Sequence, residues 1–391
     1  MSGYSKDLVL PRRSVLRASA EGIVAAVGIL LIMSVLKADQ DWFDRHFLPV
    51  FFLSRDMYVL GEAFARLVVA AFGVGLVLLV RPMIGRLVEQ VSAREVVAGT
   101  ARILLAVVLA LATSEWMLHS GFPGAAAEGP ADEEPLRRPD PLLGWTFVPA
   151  RTGHAIVSGR DIEYAIDPFG YRARSDDMPI DPDRPTILFT GESIMAGFGL
   201  NWDESIPAQV EALLGTQSAS LAVFGYANDQ AYLRLAAELP RFRDPVAVVS
   251  LFTPSLFVRN LDDDRPHLGP RLDWRPGIHR WRLTALATFL FPYHSDSEIE
   301  RGIQATRAVL LATANLAQTH YATPLVVVPE FGPEQPVEQM LRRRVLDEVG
   351  VNYVRIQLDP SWRLRGDLHP DHRAARAIAA AIAARLNGAN R

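Results

Sequence analysis

Three long apolar stretches crowd into the first third of this chain and limit its possible folds more sharply than any other feature. From about Ala18 to Leu36 runs EGIVAAVGILLIMSVL, whose only charge is Glu21. A second ends in LVVAAFGVGLVLLV at Val80, and a third starts ILLAVVLALAT at Ile103 and reaches Leu118. A helix needs about 20 apolar residues to cross the hydrocarbon of a bilayer. Glu62, Arg66 and Glu115 interrupt or flank the second and third stretches, so buried soluble helices are the alternative. The crowding favours three transmembrane helices within a membrane anchor, residues 1–120. The first run is too long for a cleaved signal peptide, and no small-residue cleavage pattern precedes the acidic stretch after Lys37.

Charge suggests an orientation. Lys6, Arg12, Arg13 and Arg17 precede the first stretch, and Arg81, Arg86, Arg94 and Arg102 lie in the connection between the second and third. Basic flanks stay in the cytoplasm, so an odd number of crossings sends everything after about Leu118 to the far side of an inner membrane. The connection between the first two spans holds Asp39, Asp41, Asp44 and Asp56, and its FLPVFFL run from Phe47 is apolar enough to lie along the interface. The chain has no cysteine, so the outer part carries no disulfide. A net charge of −4 gives no sign of a nucleic-acid partner.

Beyond the spans, residues 121–139 read as a solvated linker, with Gly121-Phe122-Pro123-Gly124 followed by acidic residues. Residues 140–185 read as a small β lead-in ending at the turn Asp167-Pro168-Phe169-Gly170. From 186 to 391, strand and helix alternate. Strands are expected at Ile187–Thr190, Leu221–Phe224, Val246–Phe252, Leu325–Val328 and Val351–Ile356. Helices are expected at Glu204–Leu214, Gln230–Leu239, Glu298–Ala317 and Val337–Val349, and after Pro370, where Ile378, Ile382 and Leu386 share a face. That order predicts an α/β domain with a parallel sheet between two helical layers, and a site at the carboxyl ends of its strands.

Two strings supply chemistry at such ends. Thr190-Gly191-Glu192-Ser193 follows the first strand, and Gly366-Asp367-Leu368-His369-Pro370 lies near the chain end. Singly, Ser193 reads as a helix cap, Asp367 as a turn former and His369 as a surface residue. Together they make a nucleophile, a base and the acid that orients the base. An extended backbone would turn Asp367 and His369 to one side, since residues i and i+2 of a strand share a face.

In these strings the chain resembles the SGNH (GDSL-like) hydrolases and acyltransferases, over roughly Asp140 to Leu386. ILFTGESIMAGFGLNWDESIPAQVEALL resembles the family's first block, LAVFGYANDQAYLRL its second and GDLHPDHRAARAIAAAI its last. GWTFVP followed by YAIDPFGYR is similar to the segment ahead of the catalytic domain in many membrane-attached members. The resemblance implies a three-layer, flavodoxin-like domain, a catalytic triad of Ser193, Asp367 and His369, and an oxyanion hole that includes the amides of Ser193 and Gly225. Glu192 departs from the family's usual aspartate. The third block normally supplies an asparagine as a further oxyanion donor, and Ser255 stands near that place, with Asn260 five residues later. Losing one such donor costs about 10²–10³ in rate; Asn260 or Asn228 is the candidate replacement.

The expected function is therefore a membrane-anchored serine esterase or O-acyltransferase acting on acyl, foremost acetyl, esters of an extracytoplasmic envelope polysaccharide or glycolipid. The bilayer and the acylated saccharide are its expected partners. The alternative is a catalytically weak envelope assembly or carbohydrate-binding protein. His267, His279, His294 and His320 lack tight metal-ligand spacing, so neither metal nor cofactor is assigned. The stretch from about Asp262 to Tyr293, with five arginines, Trp274 and Trp281, reads equally as a substrate-binding loop or a surface insertion.

Overall fold

The structure is a computed structural model that describes residues 12–48, 54–90, 93–121, 136–278 and 281–389. The chain forms two compact units, one drawn from Met1–Arg45 and Ser54–Gly121, the other from His46–Leu53 and Phe122–Arg391. Lys6 and residues 122–135 of the expected linker lie outside the described residues, whereas Arg137, Arg138 and Pro139, also expected in the linker, belong to a strand.

The first unit is helical: α1 (Arg12–Lys37), α2 (Gln40–Phe47), α3 (Arg55–Gly75), a π turn at Leu76–Val80, α4 (Arg81–Gln90) and α5 (Ala93–Gly121). Among the described residues, three segments, Arg17–Lys37, Arg55–Val88 and Ala98–Leu118, are long and apolar enough to cross a membrane. Their large apolar side chains, among them Leu30, Phe64, Phe72 and Leu104, stand exposed, which fits a surface solvated by lipid. Where α1 meets α3, a Cβ on Gly28 would lie 2.7 Å from the Gly73 carbonyl oxygen and one on Gly73 2.8 Å from that of Gly28. Only paired glycines allow helices to approach this closely. The arginines expected in a connecting loop instead ride on helices, Arg81 and Arg86 on α4 and Arg94 and Arg102 on α5.

The second unit begins with a hairpin of β1 (Arg137–Asp140) and β2 (Gly144–Phe147). Next come β3 (Arg151–Val157), β4 (Arg160–Ile166), β5 (Arg172–Ala173) and β6 (Thr186–Phe189), then α6 (Ser193–Ala196), α7 (Ile206–Leu214), β7 (Gln217–Ser220) and α8 (Asn228–Glu238). They are followed by β8 (Pro245–Leu251), α9 (Pro254–Arg259), the two-residue strands β9 (His267–Leu268) and β10 (Trp274–Arg275), and α10 (Arg282–Leu290). The chain closes with α11 (Asp296–Thr319), β11 (Thr323–Phe331), α12 (Pro336–Val345), β12 (Tyr353–Leu358) and α13 (His372–Ala389).

Among the described residues, the main sheet has eight strands in the order β12-β11-β8-β6-β7-β5-β4-β3. The run β7-β6-β8-β11-β12 is parallel throughout and, numbered along the chain, is the doubly wound order 2-1-3-4-5. Alternation along each strand splits the core. Ile187 and Phe189 pack with Val249, Ile378 and Ile382 on the face covered by α7 and α13, and Leu188 and Val248 pack with Leu235 and Ala317 on the other. The lead-in does not stand apart, because β5, β4 and β3 extend this sheet antiparallel beyond β7. β7 starts four residues before the expected strand. Its sequence, QSAS, is polar but wholly buried, and the Gln217 amide offsets part of that burial by donating to the Asp181 carbonyl and the Thr186 hydroxyl, each at 2.7 Å. The apolar run after it continues past the first strand, with the Leu221 amide on the Phe189 carbonyl at 2.8 Å. Of the FLPVFFL run, Leu48 is 1% exposed and packs with Phe252, Phe257 and Ile303 in the core of this unit, because an apolar side chain gains more there than at an interface; residues 49–53 lie outside the described residues.

Arg172, from the DPFGYR turn, couples the lead-in to the start of the parallel sheet. It is 0% exposed, lies over the Tyr164 ring at 4.6 Å and donates to the carbonyls of Ala196, Gly197 and Leu200. Burial pushes its pKa down to about 10, still well above neutrality, so the guanidinium stays charged. Arg172→Lys keeps the charge but cannot span three carbonyls, and should destabilise the second unit by about 2–4 kcal/mol. Thermal denaturation of the two proteins checks this, and equal melting temperatures would contradict it.

Candidate active site

The first strand delivers Ser193 through a turn that only glycine permits. Gly191 has φ +149°, and a Cβ there would press on Met195 at 3.3 Å and Leu251 at 3.5 Å. Glu192 then caps a single helical turn, its Oε1 accepting from the Ile194 amide at 3.1 Å. With α6 only four residues long, little helix dipole is available, and any stabilisation of negative charge must come from individual donors. Ser193 is 4% exposed, and its Oγ lies 2.8 Å from His369 Nε2. Asp367 accepts from His369 Nδ1 on the ring's other side, which fixes the tautomer that leaves Nε2 able to take a proton.

The Asp367–His369 pairing is not made by an extended strand. Leu368 has φ +71°, so the loop turns sharply, and the Leu368 amide donates to the Leu364 carbonyl at 3.0 Å while the Leu364 amide donates to that of His369 at 2.7 Å. A left-handed leucine is strained. Arg363 stabilises it, donating to the Leu368 carbonyl at 2.7 Å while its guanidinium lies 3.8 Å from the centroid of the Phe331 ring. Phe198, whose amide donates to the Ser193 carbonyl at 2.8 Å, stacks its ring 4.6 Å from the His369 imidazole. The base is thus held from both sides by groups that the motifs alone do not identify.

Gly225 follows β7 in a left-handed turn at φ +80°. The lead-in supports that turn from below: Tyr226 OH donates to the Trp145 carbonyl at 2.7 Å and Trp145 Nε1 to the Phe224 carbonyl at 2.9 Å. Asn228 and Asp229 open α8; the Asn228 amide donates to the Leu251 carbonyl at 2.9 Å, and Asp229 accepts from the Leu268 amide at 2.9 Å. Asn260 spends its two amide hydrogens on Thr306 Oγ1 at 2.8 Å and Asn228 Oδ1 at 3.3 Å. The structure therefore engages Asn260 with its neighbours and leaves none of its donors for an oxyanion. The side chain of Ser255 lies outside the described residues.

The sequence reading missed an ion pair beside the nucleophile. Glu192 is 0% exposed; its Oε2 accepts from Arg259 Nη1 at 3.2 Å and competes with His369 Nε2 for the single hydroxyl hydrogen of Ser193. The glutamate in place of the usual aspartate was the available signal, since a buried carboxylate requires a cation or several donors. Arg259 and Asn260 also line a cavity of about 410 Å³ with Leu268, Phe289, Tyr293 and Arg301; Ser193, Asp367 and His369 are not among its walls. Of the histidines considered as ligands, His279 lies outside the described residues, and among the described residues no group of three acidic or histidine side chains is placed to hold a metal.

No family model matches the chain, and no curated protein does either. Solved structures do. The chain is similar to a family two carbohydrate esterase from Clostridium thermocellum at 13% identity, covering 55% of this chain and 67% of that one, with a TM-score of 0.36. It is similar to a carbohydrate acetylesterase from Sinorhizobium meliloti at 12% identity, covering 53% and 100%, with a TM-score of 0.32. It is also similar to a GDSL-like lipase from Bacteroides thetaiotaomicron at 14% identity, covering 55% and 92%, with a TM-score of 0.31.

The hydrogen bond from His369 holds the Asp367 carboxyl below its ordinary pKa. A carboxyl depressed in the folded state stabilises the fold above its unfolded pKa, about 3.9, and loses that contribution as pH falls through the folded value. Asp367→Asn should therefore melt below the wild type at neutral pH, with the gap closing as pH falls below the ordinary carboxyl range and through the depressed value. Melting curves across pH check this, and a gap undiminished in acid would contradict it.

Proposed function

We propose that this chain is a membrane-anchored serine esterase of the SGNH type, acting outside the cytoplasm on acyl, foremost acetyl, esters of an envelope polysaccharide or glycolipid. The observation that carries the reading is the hydrogen-bonded series Ser193–His369–Asp367 at the carboxyl ends of the parallel strands. Ser193 Oγ attacks the ester carbonyl as its proton passes to His369 Nε2, and Asp367 stabilises the imidazolium. The alkoxide leaves with that proton, and the acyl group remains on Ser193. Water or a sugar hydroxyl then takes the acyl group, giving hydrolysis or O-acyl transfer through the same intermediate. Three spans in the same chain keep the domain near envelope material, and the cavity beside Arg259, lined by Phe289 and Tyr293 together with Arg301, offers the apolar and polar contacts that a saccharide uses.

A second reading, a catalytically weak assembly or carbohydrate-binding protein, is favoured by one observation, the engagement of Asn260 by Thr306 and Asn228. The full chain in detergent, given a chromogenic acetyl ester, separates the two. The esterase should turn over, and Ser193→Ala should lower kcat by at least about 10³-fold; equal rates would establish the second reading. Orientation has its own check. A reporter active only in the cytoplasm, fused after Arg391, should stay silent, and a signal would reverse the proposed topology.

A further inference from the structure

The site brings Ser193 and His369 together, but Asn260, expected as the donor beyond the Ser193 and Gly225 amides, is occupied by Thr306 and Asn228, and Asn228 itself gives an amide hydrogen to the Leu251 carbonyl at 2.9 Å. We propose that Arg259 is a catalytic residue, its guanidinium completing the oxyanion hole in place of a neutral amide side chain. The inference rests on the serine-esterase reading of the same site.

Placement carries it. Arg259 ends α9, the helix that follows β8, and β8 lies next to β6 in the sheet. These are the first and third parallel strands, between whose carboxyl ends the doubly wound order opens its crevice. The Arg259 side chain is 18% exposed, with Nη1 at 3.2 Å from Glu192 Oε2 and 3.4 Å from the Tyr226 carbonyl. Glu192 Oε2 is the atom that also competes for the Ser193 hydroxyl hydrogen, and Tyr226 directly follows Gly225. Arg259 thus bridges the nucleophile turn and the Gly225 turn, while another part of it faces the cavity. Arg265 fixes this arrangement: its Nη1 donates to the Gly225 carbonyl at 3.1 Å and to Gln230 Oε1 at 3.0 Å, and its Nη2 donates to the Arg259 carbonyl.

The chemistry follows. As the Ser193 Oγ–carbon bond forms, the carbonyl π pair moves onto oxygen and the serine proton passes to His369 Nε2. A planar guanidinium with five N–H groups can hold Glu192 and a second acceptor together, and the 3.4 Å contact to the Tyr226 carbonyl is long enough to be exchanged for a shorter one to the new anion. The buried Glu192 carboxylate balances the charge in the resting site and limits how tightly Arg259 binds a ground-state carboxylate. The preference for the oxyanion arises only as charge develops. When the intermediate collapses, the pair returns to carbon, and the leaving alkoxide takes the proton from His369.

The test uses the full chain in detergent, a fluorophosphonate that labels activated serines, and a chromogenic acetyl ester. Removing Arg259 alone strands a buried carboxylate, so the central comparison is Glu192→Gln against Glu192→Gln/Arg259→Met, with Arg259→Lys as the charge-retaining variant. The expected result is that adding Arg259→Met to Glu192→Gln lowers kcat about 10²-fold with KM nearly unchanged. Added guanidinium ion should restore part of that loss, and Arg259→Lys should fall between the wild type and the double variant. Equal kcat for single and double variants with no rescue would overturn the role of Arg259 while leaving the esterase reading intact. Failure of the wild type to label or turn over would overturn the esterase reading itself, and this inference with it.

Discussion

The hydrogen bond between Ser193 Oγ and His369 Nε2 joins residues 176 positions apart, and the architecture of the second unit is what makes it possible. A parallel sheet gathers the carboxyl ends of all its strands on one edge. The segment leaving β6 and the segment after β12 reach that edge from opposite parts of the sequence. The proposed roles of Ser193 and His369 depend on this convergence, and buried layers pack on both faces of the sheet that carries the two loops.

Around that bond, rigidity comes from uncommon backbone conformations. Gly191, Gly225 and Leu368 occupy positive φ, and each conformation is held by a named neighbour or by a shape only glycine can fill. Arg172 clamps the carbonyls that follow the nucleophile turn, and Arg363 clamps that of Leu368. Both guanidinium groups are pushed down to about 10 by burial, a desolvation cost offset by the carbonyl contacts and by the aromatic ring against each. The backbone turns around Ser193 and His369 are thus braced by two arginines, Arg172 and Arg363.

Much of this is legible in the sequence for physical reasons. Buried parallel strands need continuous apolar runs, which β6, β8 and β11 have, while β12, at the sheet edge, alternates apolar Val354, Ile356 and Leu358 with Arg355 and Gln357, so all four can be read within a few residues. Helices with one apolar face, such as α13 with Ile378, Ile382 and Leu386, are equally readable. β7 is misplaced by the same rule because its buried residues are polar, with only part of their burial offset by the side-chain hydrogen bonds of Gln217. The Asp367–His369 turn reads wrongly as extended because leucine gives no signal for a left-handed conformation. Asn260 is suggested by proximity in sequence, whereas its orientation is set by Thr306 on α11, a contact no spacing rule reveals. The pairing of Glu192 with Arg259 is hidden for the same reason, although a glutamate committed to burial next to the nucleophile already requires a cation.

The central claim is that Ser193 becomes acylated during turnover. The most direct measurement is mass spectrometry of the full chain quenched while it consumes an acetyl ester. The account predicts one added acetyl group on the peptide containing Ser193, accumulating within the first turnovers and absent when Asp367 and His369 are replaced. Turnover of the ester with no adduct at Ser193, or an adduct that persists without His369, would contradict it.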